Sequence, residues 1–288
     1  MRPYHYITRI MEDRDRLEHG VIMSGTGFIE TDRVRSVLYN QLHKAIKFTL
    51  PEGGKILDIG ISESISVISE FCKLPYPVIA IEYYQPYEEH DPKTRIGRIG
   101  RDVEARERVI LCSEMPNNAL MVTLFIKSHG RGISVWAPFD GSVLYYPKEH
   151  NGHVVPNFMS KEFFSAEIQQ NVISNYSDEF PVIGNLLAAL SCKNVYESLS
   201  LAPRHMNNKR KKKKKAPIYE YKFLEINTEK LSAEPRTEKG FHASPRIHLR
   251  RGHIRRLQDG DRIWVNAAIV GRKNGTGVLH KDYGVLKQ

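Results

Sequence analysis

Apolar and polar positions follow two rhythms along this chain, and the change of rhythm marks its elements. From Thr31-Asp32 to about Phe48, the apolar residues Val34, Val37, Leu38, Leu42, Ala45 and Ile46 recur at helical spacing. They form one stripe of a helix, which Pro51, Gly53 and Gly54 bring to an end. A second helix is expected over about Glu63 to Lys73. Pro75 and Pro77 close it and launch Val78-Ile79-Ala80-Ile81 as a strand. The middle of the chain then turns to β-branched and aromatic runs: Val109 to Cys112, Leu120 to Lys127, Ile133 to Ala137 and Val143 to Tyr146. Pro116-Asn117-Asn118, His129-Gly130-Arg131-Gly132 and Asp140-Gly141 break these runs apart, the pattern of an antiparallel meander. Two further helices are expected, Ser160 to Ile173 and Ser177 to about Tyr196, with Ser177 or Asp178 able to cap the second.

Composition then shifts. Lys209-Arg210-Lys211-Lys212-Lys213-Lys214-Lys215 is a run of seven cations, whose self-repulsion predicts an extended, solvated segment. After Pro217, the alternation in Ile218-Tyr219-Glu220-Tyr221-Lys222-Phe223-Leu224 predicts a strand. The expected fold is therefore α+β: N-terminal helices plus an antiparallel β meander, with a small basic β-rich C-terminal domain. The expected division is an α+β domain at 1–203, a basic linker at 204–216 and a basic domain at 217–288.

The charge supports that division. Residues 204–288 hold 22 Lys and Arg against 8 Asp and Glu, whereas residues 1–203 hold 21 against 25. An excess of positive charge confined to the last third points to a polyanionic partner. With 41% hydrophobic residues in 288, global disorder is excluded. No apolar run is long enough to cross a bilayer, and Met1 to Glu18 lacks an apolar signal core. Together with three widely spaced cysteines, Cys72, Cys112 and Cys192, this predicts a cytoplasmic protein with reduced thiols, no membrane partner and no cofactor.

The candidate chemistry lies in Ser244 to Leu257, followed by Gln258-Asp259-Gly260-Asp261 and Arg262-Ile263-Trp264-Val265. Asp-Gly between alternating runs is a hairpin signal. A bulge at Arg251-Gly252 would shift the alternation by one and bring His248, Arg250, His253 and Arg255 onto one open face, with Ile254 turned to the core. On such a face, one imidazole could take a proton from a ribose 2′-hydroxyl and another could protonate the leaving oxygen. The guanidinium groups would stabilise the charge growing on phosphorus, with no metal required. The same four residues also describe a surface that binds phosphate without cleaving it. Lys209 to Lys215, with Arg246, Arg251, Arg256, Lys281 and Tyr283, are the expected nucleic-acid contacts. A zinc site from His242, His248, His253 and His280 is not favoured, because the spacing is not that of a metal site and no cysteine joins them. Trp264 reads as hairpin core in preference to a base-stacking platform.

Two resemblances bear on function. Lys55 to Ser64 resembles the first motif of methyltransferases that use S-adenosylmethionine, with Glu82 where such enzymes place an acid for the ribose. Ser62 and Ser64, however, replace the glycines that let the cofactor approach. The plainer reading makes Leu57 and Ile59 core and Asp58 a turn or cap residue.

Arg246, His248, Arg250, Arg251, Gly252 and His253, followed by Trp264, resemble the C-terminal region of a type V-A anti-CRISPR family of phages and other mobile elements. The likeness covers about the last hundred residues, and Ile254 stands where family members often place an aromatic residue. The resemblance implies an inhibitor that lowers production of an effector nuclease in the host cytoplasm. Residues before about Lys209 would recognise a nascent host polypeptide, and the basic end would engage RNA or the ribosome. A metal-independent ribonuclease and a non-catalytic phage accessory protein are the alternatives.

Overall fold

The computed structural model describes residues 3–17, 32–71, 73–86, 106–115, 119–130, 133–146, 153–157, 176, 178–227, 248–250, 252–265 and 268–270; the side chains of some strand and helix residues within these ranges are also left aside. In chain order the elements are α1 (Tyr6–Leu17), α2 (Asp32–Lys44), β1 (Ile46–Thr49), α3 (Ile61–Phe71), β2 (Val78–Tyr84), β3 (Glu107–Glu114), β4 (Leu120–Gly130), β5 (Ile133–Tyr146) and β6 (His153–Asn157). Then come α4 (Glu179–Leu190), β7 (Val195–Ser200), α5 (Arg204–Lys212), β8 (Tyr221–Ile226), β9 (His248–Arg250), β10 (His253–Arg256), β11 (Arg262–Val265) and β12 (Ala268–Val270).

Eight strands form one sheet in the order β6-β5-β4-β3-β2-β1-β8-β7. The fold class is α+β. The meander holds for β2 through β6, which pair antiparallel in sequence order. Beyond β2 the sheet is mixed: β1 runs parallel to both β2 and β8, and β7 returns antiparallel to β8.

Helices cover both faces, so central strands are apolar on both sides. Strand β2 sends Ile79, Ile81 and Tyr83 into a layer with Val67 and Ile68 of α3 and Ile183, Leu186 and Leu187 of α4. Ala80 points the other way, into a layer with Ile7 and Ile10 of α1 and Leu38, Tyr39 and Leu42 of α2. Helices α3 and α4 cross at Gly184, where a Cβ would lie 1.9 Å from the Ser64 carbonyl oxygen. At the start of α4, the buried Glu179 carboxylate accepts a hydrogen bond of 2.5 Å from Arg108 of β3. Burial pushes the carboxyl up to about 7 against the pull of that guanidinium.

Several expected boundaries are corrected. The helix expected to run to Phe48 stops at Lys44, because Phe48 belongs to a buried central strand, β1, with Lys47 and Thr49. The helix expected to reach Tyr196 stops at Leu190, and Tyr196 lies in β7. Asp140-Gly141 does not break the sheet: β5 runs through it, and the irregularity falls opposite, between Thr123 and Phe125. The helix expected over Ser160 to Ile173 lies outside the described residues.

The largest correction concerns the domain division. The strand after the basic run, β8, is hydrogen-bonded between β1 and β7 inside the main sheet. Buried Tyr221 and Phe223 hold it in the α1–α2 layer. The change in charge near residue 204 is therefore not a boundary in the fold. The lysine run is not an extended linker either: its first part is the end of helix α5.

Candidate nucleic-acid interface

Helix α5 occupies the connection between the paired strands β7 and β8. Its body is fastened down. Asn207 exchanges two hydrogen bonds with the backbone of Ile218, both 2.8 Å. Arg210 donates through Nε to the Ala216 carbonyl at 2.6 Å and is ion-paired with Glu12 of α1. The Pro217 carbonyl accepts a hydrogen bond of 3.0 Å from Thr8 of α1. With these anchors made, Lys209 and Lys211 to Lys215 remain exposed. Arg210, grouped by sequence with the phosphate contacts, is partly buried and serves as an anchor.

The physical reason a helix survives in this run is its end. Four cations fall in the last turn of α5, where carbonyl groups carry the negative pole of the helix dipole and favour positive charge. The chain leaves through Lys214, whose φ is +52°. Hydrogen bonds from Lys215 N–H to the Arg210 carbonyl (3.0 Å) and from Lys214 N–H to the Lys211 carbonyl (3.1 Å) close the turn. This is the position that glycine ordinarily fills at a helix C-terminus. Lys214→Gly is therefore expected to stabilise the protein by about 0.5–1 kcal/mol in urea unfolding.

The second candidate lies in the C-terminal hairpin. The Asp259-Gly260 turn forms as its sequence signals, with Gly260 at φ +89° and Leu257 N–H bonded to the Asp261 carbonyl at 2.7 Å. In β10–β11, His253 pairs with Val265, Ile254 with Trp264 and Arg255 with Ile263. Trp264 is buried in the main core with Ile254 packed against that cluster. Its backbone exchanges hydrogen bonds of 2.8 and 2.9 Å with Asn194, so the hairpin is docked beside β7. Gly252 is needed here, because a Cβ would meet the Trp264 ring at 2.5 Å.

The bulge expected at Arg251-Gly252 involves Arg251, which lies outside the described residues. Arg250 pairs with Ala268 in β9–β12 and His253 with Val265 in β10–β11. The described ladders on either side thus keep one register, with two residues between them on each strand. Alternation places His253 and Arg255 together, opposite Ile254. Arg255 and Arg256 are exposed and His253 is half-buried. The side chains of His248 and Arg250, and the whole of Arg246, Arg251, Lys281 and Tyr283, lie outside the described residues.

The methyltransferase-like stretch is structural. Leu57 is buried and its backbone exchanges hydrogen bonds with Asn185 of α4 at 2.9 and 2.8 Å, whereas Asp58 is exposed. Glu82 is fully buried. It accepts hydrogen bonds from the backbone N–H groups of Tyr4 (2.7 Å), His5 (3.1 Å) and Tyr6 (3.0 Å), and from the Thr49 hydroxyl (2.8 Å). It closes the N-terminus of α1 and is not open to a ribose. Burial raises its pKa, and these hydrogen bonds pull the other way.

Sequence reasoning missed Arg204 and His205, both exposed in the first turn of α5. Helical continuity from Arg204 into the lysine run is the signal that could have added them. Cys112 and Cys192 are free and buried; Cys72 lies outside the described residues. Among the described residues, no group of three or more His, Cys, Asp or Glu is placed to hold a metal ion, and no helix is long and apolar enough to cross a membrane.

The fold and this surface define an α+β protein that presents a basic helix on a connection between two strands of its central sheet. No protein-family model, curated protein or solved structure matches the chain.

Proposed function

We propose that this protein binds RNA through the lysines at the end of α5, and that binding, not cleavage, is its action on the nucleic acid. The observation that carries this reading is a cluster of six exposed lysines on a helix end fixed to the body by Arg210, Asn207 and Thr8. A fixed cluster loses less conformational freedom on meeting a phosphate backbone than an extended tail does. Cleavage by His248 and His253 would need both imidazoles on one face, and the equal register of the ladders on either side of Arg251-Gly252 favours binding over cleavage. The resemblance of the last hundred residues supplies the finer part of the proposal. In it, the protein belongs to a phage or mobile element, works in the host cytoplasm, and lowers expression of a target protein while engaging RNA or ribosomes.

The test is retention of labelled single-stranded RNA in EDTA by the full chain and by a variant with Lys209 and Lys211 to Lys215 changed to Gln. The natural chain is expected to retain intact RNA. The variant should bind about 100-fold more weakly, and its dependence of log affinity on log salt should flatten by about 0.7 for each phosphate that it no longer neutralises. Equal affinity of the two would refute the role of α5. Cleavage in EDTA that disappears with His248→Ala or His253→Ala would replace binding with ribonuclease activity.

A further inference from the structure

Helix α5 has a second face besides the one that fastens it. Asn207 and Arg210 turn toward the body, bound to Ile218, Ala216 and Glu12. At about 3.6 residues per turn, the opposite side of the helix carries His205, Asn208, Lys209 and Lys212, and all four are exposed. None of these four side chains makes a hydrogen bond or ion pair among the described residues. From Arg204 to Lys215 the chain holds no carboxylate. The face is unpartnered and free of negative charge, which suits a polyanion.

Lysines account for the charge of this face but not for His205 and Asn208. Asparagine is a poorer helix former than alanine or lysine. Asn207 is held by the backbone of Ile218, whereas Asn208 stands exposed in the middle of a short helix, so stability does not explain its presence. Positions 205 and 208 are three apart, neighbours on the helix surface with about 5–6 Å between their Cβ atoms. An imidazole offers a flat face on which a base stacks. A carboxamide beside it offers both a donor and an acceptor to the edge of that base. Lys209 and Lys212 each follow four residues after one of the pair, one turn along the same side, where they reach the flanking phosphates.

A paired base is closed to such a site. The major groove of an RNA duplex is deep and narrow and does not admit a helix, whose width with side chains is about 10–12 Å. A duplex also carries the denser charge, so lysines alone hold it at least as well as a single strand. Preference for unpaired RNA is therefore the property that separates base reading from simple charge attraction.

We infer that the outer face of α5 selects unpaired RNA: His205 stacks on a base, Asn208 bonds its edge, and Lys209 and Lys212 hold the neighbouring phosphates. This inference rests on the proposed RNA binding and adds the form of RNA that is chosen.

The test is retention, by the full chain, of an unstructured labelled RNA and of the duplex it forms with its complement. The natural chain is expected to hold the single strand about tenfold more tightly than the duplex. His205→Ala should weaken single-strand binding about tenfold and Asn208→Ala about fivefold. Both variants should keep the native circular dichroism spectrum and the natural salt dependence, since neither removes a lysine. His205→Phe retains a stacking ring and should recover most of what alanine loses. Equal binding of the two forms, or preference for the duplex, overturns the inference. So do alanine variants as tight as the natural chain, or a phenylalanine variant as weak as His205→Ala. In each of those cases, weaker binding by the lysine-to-glutamine variant still leaves the lysine reading in place. A natural chain that holds neither form of RNA removes both.

Discussion

Replacing Glu82 with alanine is expected to lower the unfolding free energy by about 3–5 kcal/mol, among the largest effects of any single change in this fold. The substitution strands the N–H groups of Tyr4, His5 and Tyr6 and the hydroxyl of Thr49, all of which now donate to one carboxylate. Water cannot readily replace that acceptor, because the residue is fully buried. Glu82→Gln keeps one carbonyl oxygen as an acceptor and should cost less, about 1–3 kcal/mol. Urea unfolding midpoints, with slopes compared, measure both. A loss below about 1 kcal/mol in the alanine variant would mean that α1 does not depend on this carboxylate.

Gly184→Ala is the second large effect, expected at about 3 kcal/mol or more. Overpacking one methyl group usually costs about 1–3 kcal/mol, and more where the neighbour cannot yield. Here the neighbour is backbone: the new Cβ would sit 1.9 Å from the Ser64 carbonyl oxygen and 2.5 Å from its carbon. Helix α3 would have to separate from α4, opening the layer that holds Val67, Ile68, Ile183 and Leu187. Equilibrium unfolding checks the size of the effect. An alanine variant as stable as the natural chain would show that the two helices have room to spread.

How far the sequence revealed this structure depended on how local the deciding interactions were. Strands β2, β3 and β4 were legible because their β-branched runs are bounded by proline or asparagine, and the hairpin at Asp259-Gly260 because its turn chemistry is local. The helix end at Lys44 was not. Ala45 and Ile46 continue the helical spacing, and only pairing with the distant Ile79 and Ala80 makes residues 46–49 a strand. Tyr196 was misplaced for the same reason, since its partner Glu225 lies beyond the basic run. The domain division failed because charge was read as architecture. A cationic stretch marks a change in surface, and it says nothing about whether Tyr221 and Phe223 pair with β1.

At the candidate site, the lysines were legible as a polyanion surface. Their helical form was not, because like-charge repulsion was weighed without the favourable pole of a helix end. Arg210 looked like its neighbours, but its bond to the Ala216 carbonyl and its ion pair with Glu12, far away in the chain, set it apart. The shared face of His248, Arg250, His253 and Arg255 depended on a single residue of register, which composition cannot supply.

The way α1 is secured orders events as the chain is made. Its N-terminal amide groups wait for Glu82, more than seventy residues later, and Thr8 and Glu12 wait for Pro217 and Arg210, about two hundred residues later. Helix α1 emerges during synthesis well before the residues that lock it, and non-local closure of this kind is slow. A nascent chain halted before Arg210 would carry a loosely held front end, so a truncation there should be cut by protease within its first seventeen residues well before the finished protein is.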